Sequence, residues 1–356
     1  MYWKIIKYDV ALETAYLIFE LIQIALGKRK KLSNTPSIDQ WVEVKQFACS
    51  HALAGIVFCA IEKMPKTQYP PKNVIMSLYG YAECYKQNYI QQRNVADKLS
   101  RLWSSVRVEA IILKGRSIAQ YYPKPESRFS CDLDLFVETG WQTACDLLKQ
   151  KGIGLEYEVY KEAEFEIDNV YVEFHRYITP IRGNKNLYNF ELYLRELLSK
   201  EKEYFGDSLL VKPPLLFVLM LYIEHALGDF LKARLSFKHI VDWVVLRNQS
   251  FNQKEFEEDC KLFGFERFLQ LLNRITDIVE GKHSYEQLGD NDKKIFDELI
   301  HQKVKSQKKS WFSRRVDLFL EIITNAKRFK EYGYCSMHSF LFNAVWAHFF
   351  HKEIVL

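Results

Sequence analysis

The sequence predicts an α+β fold that is predominantly helical, with a small mixed β-sheet core flanked by N-terminal and C-terminal helical regions. Apolar residues recur at helical spacing up to about residue 104 and again after Pro180. Between them lie short apolar or alternating segments, which are typical of strands. The chain has only 14 Gly and 9 Pro, which suits long helices better than a loop-rich β-sandwich. We therefore divide it into an N-terminal helical region (1–104), an α/β core (105–180) and a C-terminal helical region (181–356).

The N-terminal region shows the helical period clearly. Leu17, Leu21 and Ile24 follow it in one segment, and Val44 and Phe47 follow it in the next. The polar and proline-containing residues 33–36 separate these two predicted helices.

The pattern changes at Val106, where a buried strand is predicted to run to Leu113. Asp168-Asn169 has the composition of a hairpin turn between two alternating stretches. The elements predicted after the first strand are a short helix (117–122), a strand (132–137), a helix (141–150) and the two alternating strand segments (155–167 and 170–175). After Pro180 we predict helices to the end of the chain, including Leu215 to Leu227 and Phe237 to Leu246.

Composition excludes several classes of protein. Hydrophobic residues make up 48% and aromatic residues 15%, which is ample for a packed core and excludes a disordered chain. The net charge of +5 is too small for a dedicated nucleic-acid binder, yet it is compatible with a polyanionic ligand such as a nucleoside triphosphate. The seven cysteines form no C-x-x-C pair, which argues against a zinc ribbon and fits a reducing compartment. The most apolar run, Leu215 to Ile223, is too short to cross a membrane, so we expect a cytoplasmic protein with no membrane partner.

The sharpest chemical feature is the segment Asp132-Leu133-Asp134-Leu135. Side chains alternate along a strand, so both aspartates are predicted to face one side and both leucines the other. Two carboxylates held this close repel each other unless a cation lies between them. Magnesium prefers such oxygen ligands and commonly shares them with substrate phosphates.

A second D-x-D sequence serves as an internal control. Asp290-Asn291-Asp292 follows Gly289 and precedes two lysines, as expected at the start of a helix. Only the first of the two motifs lies among apolar strand residues, and this context distinguishes a metal-binding candidate from a helix N-terminus.

Glu173 is the third candidate ligand. In Tyr171-Val172-Glu173-Phe174-His175, alternation places Val172 and Phe174 toward the core and the other three residues on the opposite face. A carboxylate on a neighbouring strand would complete a site for two metal ions, one activating the attacking oxygen and the other stabilising the leaving pyrophosphate. An exposed surface role is the alternative for Glu173. His175 could orient a carboxylate or an acceptor, or be purely structural.

Phosphate-binding candidates follow the first predicted strand. A glycine at a strand-to-helix turn allows close approach of a phosphate to the backbone, and the helix N-terminus favours anions. The candidates are Lys114, Gly115, Arg116, Ser117 and, just before the aspartates, Arg128. We predict packed or structural roles for His225 and for Asp242, with Lys238 or Arg234 as the partner of Asp242.

These segments, in this order, resemble the polymerase-β-type nucleotidyltransferase superfamily, and more closely its bacterial branch of uncharacterised nucleotidyltransferases. The likeness covers most of the chain. It rests on Leu113-Lys114-Gly115, Tyr122-Pro123, Arg128, Asp132-x-Asp134-Leu135 and Val172-Glu173-Phe174-His175, with outlying matches at Trp41, Ala48, His51, Pro213, His225, Arg234 and Asp242-Trp243. Three positions depart from the family pattern: Glu173 stands where Asp is usual, Gly115-Arg116-Ser117 replaces a Gly-Ser turn, and Cys131 separates Ser130 from Asp132.

The resemblance implies transfer of a nucleoside monophosphate from a nucleoside triphosphate such as ATP to a hydroxyl or amine, with two Mg²⁺ ions and release of pyrophosphate. Asp132, Asp134 and Glu173 would be the catalytic, metal-binding residues. The acceptor could be a small molecule, a protein or RNA. One alternative is a toxin or defence enzyme that modifies RNA or protein, for which the basic tract 303–315 is the candidate surface. The other is a catalytically degenerate nucleotide-binding protein, which Glu173 in place of Asp and the altered Gly115-Arg116-Ser117 turn leave open.

Overall fold

A computed structural model describes residues 12–158, 162–180, 184–200, 202–206, 208–301, 320–333, 337–338 and 341. Helices predominate and surround one mixed β-sheet, so the predicted α+β, mainly helical class is confirmed. The predicted basic tract 303–315 lies outside the described residues. Among the residues described, no helix combines the length and the apolar character needed to cross a membrane.

Four helices precede the sheet, and they form where the helical period predicts them. They are α1 (Leu12–Ala25), α2 (Ile38–Ser50), α3 (Ala54–Lys63) and α4 (Lys72–Ser104). Helix α2 begins with a capping box, in which the Ser37 side chain accepts from the Gln40 backbone and the Gln40 side chain bonds back to Ser37. The 33-residue helix α4 is much longer than the others and leads directly to the first strand.

The sheet has seven strands within the described residues, in the order β3-β4-β5-β2-β1-β7-β6. Strand β1 pairs antiparallel with β2, and β2 pairs in parallel with β5, so β2 and β5 lie at the centre. The strands are β1 (Ala110–Ile112), β2 (Leu133–Phe136), β3 (Glu156–Glu158), β4 (Glu162–Ile167), β5 (Val170–His175), β6 (Glu203–Tyr204) and β7 (Leu210–Lys212). Helices α5 (Lys114–Ala119), α6 (Trp141–Gln150) and α7 (Lys185–Lys200) connect them.

Four predictions of secondary structure need correction. Strand β1 covers only Ala110–Ile112 of the predicted 106–113, and α5 covers Lys114–Ala119 and not 117–122. The predicted strand segment 155–167 contains two strands, β3 and β4, which pair antiparallel. The region after Pro180 is not wholly helical: β6 and β7 extend the sheet, and β7 pairs in parallel with β1. These strands have two and three residues, too few to show a strand period in the sequence. The predicted hairpin at Asp168-Asn169 is confirmed, since both residues have positive φ as this turn requires.

The remaining helices are α8 (Leu215–Leu231), α9 (Phe237–Leu246), α10 (Gln253–Leu262), α11 (Glu266–Val279), α12 (Asp290–Ile300) and a short helix at Ala326–Tyr332. One cluster of buried apolar residues joins these helices to α1–α3 and reaches the sheet through Ile111, Leu113 and Phe136. A second cluster lies on the other face of the sheet, where Trp103 of α4 stacks on Phe174 with ring centroids 4.6 Å apart. The division into three regions stays a prediction.

Candidate active site

The sheet places Asp134 and Glu173 side by side. They are directly opposite partners on the parallel strands β2 and β5, and residues opposed in this way project to the same face. Leu133, Leu135 and Val172 point the other way and are fully buried in the cluster beneath the sheet. The strand alternation predicted from the sequence is therefore confirmed at this point.

Asp132 lies in a bend one residue before β2. Its backbone carbonyl accepts hydrogen bonds from Gln92 Nε2 at 3.0 Å and from Ser130 Oγ at 3.2 Å. Gln92, a buried residue of α4, also donates to the Ser130 carbonyl at 3.1 Å. These bonds hold the segment before β2 in place, so Asp132 lines the same cavity as Asp134 and Glu173.

That cavity has a volume of about 300 Å³ and separates the sheet from helices α8 and α9. Its floor carries the three predicted carboxylates, and its opposite wall carries Tyr222, His225, Lys238, His239 and Asp242. A space of this size, lined by a few convergent charged groups, is typical of a small-ligand site.

Lys114 neutralises part of the carboxylate charge. Its Nζ lies 2.6 Å from Asp134 Oδ1 and 3.5 Å from Glu173 Oε2. Burial lowers the pKa of Lys114, but the Asp134 and Glu173 carboxylates more than offset this and raise the pKa above its usual value. Lys114 has φ +38°, a conformation that residues with a Cβ seldom adopt. Such strain is common at functional sites.

His175 is fully buried between two carboxylates. Its Nε2 lies 2.9 Å from Asp134 Oδ1 and its Nδ1 lies 2.8 Å from Glu162 Oε2. Burial opposes ionisation of Asp134, yet Lys114 and His175 hold the pKa of Asp134 well below its usual range. His175 therefore contacts the Asp134 carboxylate, which agrees both with orienting that group and with a structural role.

The donor set fits a divalent cation. Ligand atoms of Asp134, Glu173 and His175 all lie within 4.8 Å of one another, and Asp132 borders the same cavity. Hydrogen bonds to the Asp134 carboxylate from the described residues fall on Oδ1, leaving Oδ2 for a further ligand. Burial raises the pKa of Glu173 to about 7; Lys114 opposes the rise, while Asp134 and the other carboxylates add to it. Carboxylate oxygens crowded in this way are the ligands that Mg²⁺ takes.

Gly115 and Ser117 shape the turn beside the carboxylates. Ser117 Oγ donates to the Lys114 carbonyl at 2.8 Å, and both residues line the cavity. A Cβ on Gly115 would lie 2.0 Å from Ser130 Oγ and 3.0 Å from Ser130 Cβ, so this position has no space for a side chain.

We expect Gly115→Ala to destabilise the protein by about 1–3 kcal/mol, the usual cost of overpacking, with loss of activity because the turn must shift. Gly80→Ala is the matched control. Gly80 lies in α4 with no atom within 4 Å of its added Cβ, so alanine should stabilise that helix by ~0.5–1 kcal/mol. Urea unfolding of both variants and of Gly115→Ala/Ser130→Gly measures this. Failure of the second substitution to restore stability would show that Ser130 is not the obstacle.

Arg128 forms a buried clamp with Asp242 of α9. Its Nε and Nη2 donate to the two carboxylate oxygens at 2.7 and 2.8 Å, and its Nη1 donates to the Gly115 carbonyl at 2.9 Å. Tyr122 OH donates to Asp242 Oδ1 at 2.6 Å. The predicted partners of Asp242 were wrong: Arg234 pairs with Glu321, and the bidentate partner is Arg128. Arg128 still borders the cavity.

Arg116 lies away from the cavity. Its Nη1 donates to the Tyr89 carbonyl at 2.8 Å, and its guanidinium lies 4.2 Å from the centre of the Tyr89 ring. The structure thus brings together Lys114, Gly115, Ser117 and Arg128 of the predicted phosphate group and leaves Arg116 against α4.

His225 was predicted to be packed. It is half-buried and stacks on His239 with ring centroids 6.3 Å apart, and it also lines the cavity. The control motif behaves as expected. Asp290 begins α12, and Asp292 pairs with Arg274 at 2.6 Å. Sequence reasoning missed the roles of Gln92 and Glu162. Their contacts depend on packing and strand register, and no local motif signals them.

The site thus consists of carboxylates on two adjacent central strands of a mixed sheet, next to a strand-to-helix turn with a lysine and a glycine. The chain belongs to the family described as uncharacterised nucleotidyltransferase, whose sequence model matches residues 37–279. That segment contains every residue of the site and extends from α2 to the end of α11. A comparison with curated proteins gave no match.

Proposed function

We propose that this nucleotidyltransferase is magnesium-dependent and transfers a nucleoside monophosphate from a triphosphate such as ATP to a hydroxyl or amine acceptor. The observation that carries the proposal is the pairing of Asp134 with Glu173 across β2 and β5, with Asp132 facing the same cavity. Pyrophosphate is the leaving group of this reaction.

Asp132, Asp134 and Glu173 are the residues that would hold magnesium, two ions being the number expected for this chemistry. When bound, magnesium supplies charge neutralisation at the phosphates and lowers the pKa of a bound oxygen nucleophile. Lys114 fixes the geometry of Asp134 and Glu173 through its two contacts. His175 also contacts Asp134 Oδ1, so two groups orient this carboxylate. In this proposal Glu173 also accepts the proton of the attacking group.

The residues beside the carboxylates support the phosphate-binding part of the proposal. Lys114, Gly115, Ser117 and Arg128 border the carboxylates, and we retain them as the phosphate-binding group. We leave out Arg116, because its guanidinium contacts Tyr89 outside the cavity.

The direct test is pyrophosphate release by the purified protein with each of the four ribonucleoside triphosphates, with and without magnesium. We expect pyrophosphate release that requires magnesium. A compound that serves as the acceptor should gain the mass of one nucleoside monophosphate. Candidate acceptors are small hydroxyl and amine compounds, the protein itself and RNA. Tight triphosphate binding without any release would instead support the degenerate alternative. A mass increase on RNA or protein alone would support the toxin or defence alternative.

Two substitutions of Glu173 test whether activity depends on the charge or on the shape of this side chain. Glu173→Asp should retain part of the activity, because it keeps the carboxylate and is the residue usual at this place in the resembled family. Glu173→Gln keeps the shape but removes the charge, so we expect turnover to fall by about 100-fold or more, the range for a lost general base. Initial rates at saturating ATP and magnesium measure this. The opposite order, with Gln active and Asp inactive, would point to packing at this position.

A further inference from the structure

Lys238 reaches the cavity from the first turn of α9, which begins at Phe237 after the N-cap Ser236. It lies four residues before Asp242, so the two side chains share one face of the helix. Asp242 is bound by Arg128, and Arg128 is bound to the Gly115 carbonyl. Through this clamp α9 is fixed against the β1–α5 turn, and Lys238 faces the catalytic carboxylates across the cavity.

The charge of Lys238 has no direct counter-ion in the part of the chain that the structure describes. Its ammonium makes no hydrogen bond there and has no carboxylate within 4 Å, whereas Lys114 pairs with Asp134 and Glu173. The nearest acid on its own helix, Asp242, already accepts bonds on both oxygens from Arg128. Lys238 therefore lines the cavity, and its ammonium N–H groups make no hydrogen bond to the described residues.

The surroundings of Lys238 favour an anion. It is half-buried in the first turn of a helix, where the backbone N–H groups make the environment positive and a cation is unfavourable. Burial and the nearby Arg128 guanidinium both lower the pKa of Lys238, although Asp242, Cys131 and Asp132 partly oppose this. An anion between Lys238, Arg128 and the helix N-terminus would offset all of these costs at once.

We infer that Lys238 binds the diphosphate group of the nucleotide, the β- and γ-phosphates that leave as pyrophosphate. This inference rests on the proposed function. The metal-binding carboxylates and Lys114 form the floor of the cavity, where the transferred α-phosphate would lie, while Lys238 belongs to the opposite wall. The leaving diphosphate carries most of the triphosphate charge and needs a cation of its own.

The experiment compares wild-type protein with Lys238→Ala, Lys238→Met and Lys238→Arg by calorimetric titration with inorganic pyrophosphate, ATP and AMP in the presence of MgCl₂. Lys232→Ala is the matched control. Lys232 is a lysine six residues away whose Nζ pairs with Asp229 at 3.1 Å, and it is not among the cavity-lining residues. Thermal unfolding of each variant shows that it is folded, and methionine keeps the length of the side chain if alanine destabilises α9.

We expect Lys238→Ala and Lys238→Met to weaken binding of pyrophosphate and ATP by about 10- to 100-fold, the effect of one charge-assisted bond, and to change AMP binding by less than about twofold. Lys238→Arg should keep most of the affinity, and Lys232→Ala all of it. Unchanged pyrophosphate affinity in folded Lys238→Ala would overturn the assignment of Lys238 while leaving the proposed function intact. If the wild-type protein binds neither pyrophosphate nor any of the four triphosphates, both the inference and the proposed function fail.

Discussion

Replacing either aspartate of the strand motif is expected to remove turnover. Asp132→Asn and Asp134→Asn keep the shape of the side chain but remove a negative charge from the proposed magnesium site. Metal ligation supplies several kcal/mol of transition-state stabilisation, and ~4 kcal/mol corresponds to ~10³-fold in rate. Pyrophosphate release at saturating ATP and magnesium is the measurement, and we expect both variants to fall to the background rate.

The two variants should differ in stability, because their surroundings differ. Asp134 accepts bonds from Lys114 at 2.6 Å and His175 at 2.9 Å, so Asp134→Asn should lower the free energy of unfolding by ~1–3 kcal/mol. Asp132 is half-buried and lies near other carboxylates, so Asp132→Asn should leave stability nearly unchanged. Asp290→Asn, in the second D-x-D motif, should leave activity unchanged. Equal activity in all three variants would contradict the assignment of the site.

The clamp between Arg128 and Asp242 gives the largest expected effect on stability. Both residues are almost completely buried, with 6% and 1% exposure. Asp242→Asn would leave the Arg128 guanidinium buried without a counter-charge, which costs about 3–5 kcal/mol in comparable pairs. We expect a loss of this size in urea-induced unfolding. A change below ~1 kcal/mol would show that solvent or another carboxylate can replace Asp242.

Substitutions of Arg128 can distinguish its contribution to stability from a contribution to ligand binding. Arg128→Lys keeps the charge but cannot form the two parallel bonds to Asp242 together with the bond to Gly115. It should therefore destabilise the fold and, if Arg128 contacts phosphate, also raise the apparent KM for ATP. The double variant Arg128→Met/Asp242→Leu removes both charges and should be more stable than Asp242→Asn. A normal KM in a folded form of this double variant would limit Arg128 to positioning α9.

The sequence predicted the elements with strong local signals. Helices α6 and α9 begin and end where their periodicity placed them, and β5 and the Asp168-Asn169 turn also match, because alternation and turn chemistry are local. Strands β6 and β7 were missed because they are only two and three residues long. Strand β7 is held by pairing with β1, about a hundred residues earlier, and β6 pairs with β7. A short window of sequence cannot show a pairing between strands as far apart as β1 and β7.

The same reasoning explains the residues of the site. Asp132, Asp134 and Glu173 were predicted as site residues because two alternating segments carry acids on one face, where no local interaction accounts for them. Lys238 and Glu162 were not assigned to the site, since nothing near them in sequence indicates that they reach it. Arg128 was predicted as a phosphate ligand, and only the packing of α9 shows that its Nε, Nη1 and Nη2 already donate to Asp242 and to the Gly115 carbonyl.

The pairing of β1 with β7 has a consequence for how the protein forms on the ribosome. Strand β1 has one neighbour, β2, soon after it is synthesised, but its other edge stays open until residues 210–212 have emerged. The wall of the cavity forms later still, because Asp242 must be synthesised before Arg128 has its partner. A nascent chain that ends at residue 180 therefore has all three carboxylates and no enclosed place to use them. The cavity is therefore complete only after α9 has packed against the β1–α5 turn through Arg128.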